Sequence, residues 1–152
     1  MAKVVWVATT GAWNTAANWN PAAVPLDGDS VYFVSGSQAV TSDLTLGATG
    51  DSLVELNIGD AYSAAIGSSG SKLIAGVGIT TIRHRGRGSQ LFVNPTACTN
   101  AYMQVASGRT DFAELAGTIT NVHLYGCAGS MTITNGAAIT NIDMFDSPNC
   151  TL

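Results

Sequence analysis

The chain has 152 residues, 46% of them hydrophobic and only 11% charged, with six Lys and Arg against ten Asp and Glu for a formal charge of −4. That length holds one domain with a real core and excludes two comfortable ones, and the acidic balance excludes the basic face of a nucleic-acid binder. Charge this sparse, under half of the usual ~25%, fits β-ladders and tight turns or a surface spent against neighbours.

The first residues, Met1-Ala2-Lys3-Val4-Val5-Trp6, contain no apolar stretch of signal-peptide length, and no run elsewhere is long enough for a membrane-crossing helix. The chain is therefore expected to fold where it is made, or to be exported within a larger particle, with no membrane partner. Residues 1–36 hold all three tryptophans, Trp6, Trp13 and Trp19. They continue through Val24-Pro25-Leu26-Asp27-Gly28-Asp29 into the alternating run Ser30-Val31-Tyr32-Phe33-Val34. Three indoles and a Pro/Gly-shaped turn suit an N-terminal cap, integral to the domain, with a core of Trp6, Trp13, Trp19, Val31 and Phe33. Any helix is expected to be a turn or two near Ala12–Asn18.

From residue 37 to residue 152, strand-sized pieces alternate with glycine-containing turns. The expected strands are Asp43–Leu46, Val54–Ile58, Lys72–Ala75, Thr80–His84, Gln90–Val93, Asn100–Val105, Phe112–Leu115, Thr120–Tyr125, Met131–Thr134 and Thr140–Phe145. One phrase recurs among them. Thr118-Ile119-Thr120-Asn121-Val122-His123-Leu124-Tyr125 returns as Ala138-Ile139-Thr140-Asn141-Ile142-Asp143-Met144-Phe145, with weaker copies around Thr99 and Thr80. Thr80, Thr99, Thr120 and Thr140 hold the same place in each copy. Their near-constant spacing predicts an all-β, single-stranded-type parallel β-helix (a β-solenoid), with about 20 residues per coil and roughly six coils. An antiparallel jelly roll would also show many short strands, but only in a solenoid does each position repeatedly meet its copy one coil on.

Alternation within the phrase assigns the faces. Ile82, Met103, Val122, Leu124, Ile142 and Met144 fall on the inner face as the expected coil core, with His84 on the same side. Thr and Asn of each copy are expected near a corner. The other face carries Arg83 and Arg85, Tyr102 and Gln104, His123 and Tyr125, Asp143 and Phe145. In the second strand series, Asp111–Leu115 matches its neighbours only with a slipped register.

The outer aromatics Tyr102, His123, Tyr125 and Phe145, with Arg83, Arg85 and Arg87, form the expected interface, because an ordered aromatic ladder is unusual on a lone surface. Two or three guanidiniums are few beside the roughly six to ten contacts of ordinary nucleic-acid binding. His123 has no carboxylate partner implied. Asp60, Asp111, Glu114, Asp143 and Asp146 supply no stacked acidic pair for glycan cleavage, so no catalytic residue is assigned and no enzyme is expected. Cys98, Cys127 and Cys150 lack CxxC spacing and read as small buried or turn-filling side chains; no cofactor or metal is expected. The run to Leu152 ends like an uncapped strand, an edge expected to seek a partner.

The segment Trp13-Asn14-Thr15-Ala16-Ala17-Asn18-Trp19, followed by Val24-Pro25 and Gly28-Asp29-Ser30-Val31-Tyr32-Phe33, resembles the opening of β-solenoids in bacterial autotransporter passengers and tailed-phage virions. It covers residues 6–34, and the remainder only through the period. Without a signal or a following barrel, the chain is most similar to a phage capsid decoration or cement protein. That resemblance implies binding to the major capsid protein on the head surface, as a homo-oligomer and in particular a trimer, with virion localisation. A tail or fibre component and a glycan-binding adhesin are the alternatives, with a polysaccharide-active enzyme behind them.

Overall fold

A computed structural model of the chain describes residues 2–46, 52–75, 78–85, 89–104, 112–126, 130–133 and 138–146. These form a parallel β-solenoid of two sheets. The larger contains β1 (Lys3–Trp6), β2 (Trp19–Asn20), β3 (Ser30–Gly36), β5 (Ser52–Tyr62), β8 (Gly78–His84), β10 (Cys98–Met103), β12 (Thr118–Tyr125) and β14 (Ala138–Phe145). The smaller stacks β4 (Thr45–Leu46), β7 (Leu73–Ala75), β9 (Gln90–Pro95), β11 (Phe112–Leu115) and β13 (Ser130–Ile133), with β6 (Ala65–Ile66) paired to β9. Within the sheets, only the β1–β2 pair is antiparallel among the described residues.

Coil length changes along the stack. Val4 pairs with Val31, Val31 with Leu56 and Leu56 with Ile82, which makes the first coils long. Ile82 then pairs with Ala101, Ala101 with Val122 and Val122 with Ile142, a distinctly shorter advance each time. The short period expected from the recurring phrase therefore belongs to the later coils only. The coil from β5 to β8 is longer chiefly because six residues, 67–72, separate Ile66 from Leu73, where the next coil has Phe92 alone between their partners Leu91 and Val93. The slip in the second series is also resolved: Phe112 pairs with Gln90 behind it and with Ser130 ahead, a long step followed by a short one that together restore two coils.

Inside the repeat, strict alternation fails at one place. Ile119 and Val122 are both buried, and Thr120 and Asn121 between them both face outward. The same inward–outward–outward–inward run occurs at Ile79–Ile82 and Cys98–Ala101. Thr and Asn thus mark a bend within a continuous strand, where two short polar side chains tolerate consecutive outward positions. Gly117, just before β12, has φ +75°, and a Cβ there would collide with the Pro95 carbonyl oxygen of the preceding coil. Glycine is required at that corner for both reasons.

Aliphatic columns fill the interior. Val31, Leu56, Ile82, Ala101 and Val122 are all fully buried, as are Phe33, Ile58, His84, Met103 and Leu124. Burying each large apolar side chain contributes roughly 1.5–3 kcal/mol. Ile142 and Met144 depart from the expected core: they continue these columns but are 39% and 48% exposed. The reason is their place on β14, the last strand of the sheet, which among the described residues has a neighbouring rung on one side only.

Residues 1–36 supply β1, β2 and β3 and the 3-10 turn Ala16–Asn18. Trp6, Trp13, Trp19, Val31 and Phe33 are each at most 3% exposed. Trp19 lies edge-on to both Trp6 and Trp13, at centroid distances of 4.7 and 4.8 Å, the arrangement that aromatic quadrupoles favour. The indole N–H of Trp19 donates to the Trp13 carbonyl at 2.7 Å, and that of Trp6 to the Gln38 carbonyl at 3.2 Å. Buried Asn18 closes the loop by donating from Nδ2 to Thr10 Oγ1 and to the Ala12 carbonyl, both at 2.8 Å.

Candidate interaction face

Parallel stacking turns recurrence in sequence into columns on the surface. The outer residues of β3, β5, β8, β10, β12 and β14 pair in the order Tyr32, Asn57, Arg83, Tyr102, His123, Asp143. Rungs of a sheet lie about 4.8 Å apart, close to the stacking distance of aromatic planes. The Arg83 guanidinium carbon lies 4.5 Å from the Tyr102 ring centroid. The Tyr102 ring is in turn stacked on His123 at 4.8 Å and 16°. In the next outward column, Tyr125 stacks on Phe145 at 5.1 Å and 9°.

Each end of the first column is held by a carboxylate. Glu55 Oε1 lies 2.9 Å from Arg83 Nε, and its Oε2 accepts the Tyr32 hydroxyl at 2.9 Å. Asn57 Nδ2 adds a longer bond to Glu55 Oε1 at 3.4 Å. Burial first, and then the Glu55 carboxylate, raise the Tyr32 phenol above its ordinary pKa: desolvation penalises the phenolate, and Glu55 accepts the hydroxyl's hydrogen bond and repels a second negative charge. At the other end, His123 Nδ1 lies 3.2 Å from Asp143 Oδ2. The Asp143 side chain is 50% exposed, so this pair orients the imidazole more than it stabilises the fold. Beside the aromatic column runs an asparagine ladder. Asn141 Nδ2 donates to Asn121 Oδ1 at 2.9 Å, and Asn121 Nδ2 to Asn100 Oδ1 at 3.0 Å.

A groove of about 550 Å³ opens next to the ladder, lined by Arg83, Arg85, Tyr102, Gln104 and Tyr125 above His84 and Met103. Gln104, which follows Met103, stands where the next coil places Tyr125, which follows Met103's partner Leu124. His84 sits fully buried at its base, with Nε2 at 2.9 Å from the hydroxyl oxygen of Ser89.

Arg83, Tyr102, His123, Tyr125 and Phe145 thus share one face, with Arg85 beside them, while Arg87 lies outside the described residues. The pairing of His123 with Asp143 corrects the expectation of no carboxylate partner. Both occupy one column a single coil apart, so the signal was present in the repeat. Glu55 had no such signal, because its coil is longer than those that carry the recurring phrase. Of the cysteines, Cys98 is buried and its thiol is pushed up to about 11, chiefly by desolvation; Cys127 and Cys150 lie outside the described residues. Among the described residues no three His, Cys, Asp or Glu are grouped to hold a metal ion, and no helix is long and apolar enough to cross a membrane. Comparison with protein-family models, curated proteins and solved structures finds no match to the chain in any of the three.

Proposed function

We propose that this chain is a structural virion protein, a capsid decoration or cement protein that binds the outer surface of a phage head and stabilises it without catalysis. The observation that carries the reading is the ordered outer stack of Arg83, Tyr102, His123, Tyr125 and Phe145. Tyr125 and Phe145 are 43% and 49% exposed, yet stacking already holds them in one geometry. A surface whose rings are immobilised before contact loses little side-chain entropy on docking, which favours a protein–protein role. The partner in this reading is the major capsid protein, and the assembly is a homo-oligomer, with a trimer the expected state. Exposed Ile142 and Met144 supply further apolar area for such contacts.

Co-sedimentation with purified virions tests it. The protein is expected to travel with heads at a copy number proportional to the capsid lattice, and light scattering is expected to give a trimer. A monomer with no virion association would sink the reading. The exposed rings of Tyr125 and Phe145 favour a second one, a tail, fibre or adhesin module that binds glycans, which a glycan panel with this protein addresses directly. Hydrolysis or lyase products in that panel would instead assign an enzyme.

A further inference from the structure

The groove has a chemistry that docking through aromatic faces does not use. Three of the six Lys and Arg in a chain of charge −4 are Arg83, Arg85 and Arg87. Two of these, Arg83 and Arg85, line the groove with the side chains of Tyr102, Gln104 and Tyr125. Tyr102 lies between Arg83 on the preceding rung and His123 on the following one, so both of its faces are covered. What it offers outward is its ring edge and hydroxyl. Aromatic edges are electropositive, guanidiniums are planar donors matched to carboxylates, and phenol and amide groups add further donors. Glu55 engages Arg83 through Nε at 2.9 Å, which fixes the direction of the remaining guanidinium donors.

We infer that this groove is a socket for a carboxylate-bearing peptide segment of the docking partner; the inference rests on the decoration reading above and names the partner's chemistry. A volume of about 550 Å³ accommodates a short stretch of extended peptide. A saccharide would call for open ring faces, and the Tyr102 faces are already occupied. Arg85 is exposed and supplies the more accessible guanidinium.

Calorimetry with a capped triglutamate peptide tests the socket, with capped triglutamine, digalacturonate and inorganic phosphate as the other arms. Triglutamate is expected to bind saturably at one site per chain and more weakly as salt rises, while triglutamine does not. Arg85→Gln is expected to weaken it about tenfold or more with unchanged thermal unfolding. Amide shifts on the unsubstituted protein give a readout free of any folding defect, and are expected to cluster at Tyr102, Gln104 and Tyr125. No triglutamate binding, equal triglutamine binding, shifts elsewhere, or stronger binding of digalacturonate or phosphate would each overturn the proposal. Co-sedimentation separates the two ideas. Virion binding unaffected by Arg85→Gln, with triglutamate silent, removes the socket alone. Triglutamate binding in the groove without virion association removes the decoration reading and leaves the socket.

Discussion

Between β1 and β8 the larger sheet winds in long coils around a cluster of rings, whereas from β8 to β14 it winds in short ones around aliphatic columns. The first region is irregular in sequence and closed in space. Trp6, Trp13, Trp19, Phe33 and Tyr62 pack on one another; Trp6 and Tyr62 donate to the Gln38 carbonyl and Trp19 donates to that of Trp13. The second is regular in sequence and open at β14, where Ile142 and Met144 face water on one side. A column of identical positions needs a neighbour on both sides, and repetition alone never supplies the last one. Capping the stack takes residues that break the repeat.

The contrast is most exposed to attack at the ring cluster. Trp19→Ala removes a 2% exposed indole at the centre of the edge-on packing and is expected to cost about 3–5 kcal/mol. Ile142→Ala on the open rung is expected to cost about 1 kcal/mol or less. Urea unfolding followed by circular dichroism measures both, and equal losses would show that β14 is covered after all.

Alkaline pH acts on both regions at once. Burial raises the Tyr62 phenol in the ring cluster above its ordinary value of 10.0 and the Cys98 thiol in the aliphatic columns from 9.0 to about 11. Each group holds its proton more tightly folded than unfolded, so its contribution is fully present below the unfolded value. As pH rises past 9 for Cys98 and past 10 for Tyr62, the unfolded chain releases the proton first and stability falls. The slope is at most about 1.4 kcal/mol per pH unit for each group, and for Cys98 it flattens beyond about 11. Melting temperatures across that range check the expectation; Cys98→Ala should remove the part that begins at pH 9.

The smallest expected effect distinguishes inner rungs from the outermost one within the regular region. Asn121 bonds to both Asn100 and Asn141, while Asn141 makes one of these ladder bonds. Asn121→Ala is expected to cost about 1 kcal/mol and Asn141→Ala about half of that, as partly exposed amide bonds do. Chemical denaturation of the two single variants measures the ratio, and equal costs would deny the ladder any cooperative character.

Where the coils are near-identical, the parallel stack and its register were legible without any coordinates. Thr80, Thr99, Thr120 and Thr140 share one position because a nearly constant coil length returns each side chain to the same column. The same logic placed Tyr102 with His123 and Tyr125 with Phe145, and it contained the His123–Asp143 pair. Other contacts follow from packing in three dimensions. Glu55 reaches Arg83 from a longer coil that the short period could not align, and β1 turns the cap segment into a rung of the larger sheet. Packing also leaves Ile142 and Met144, apolar and correctly facing, exposed. Periodicity specifies which residues share a column, but burial depends on whether another rung lies above it.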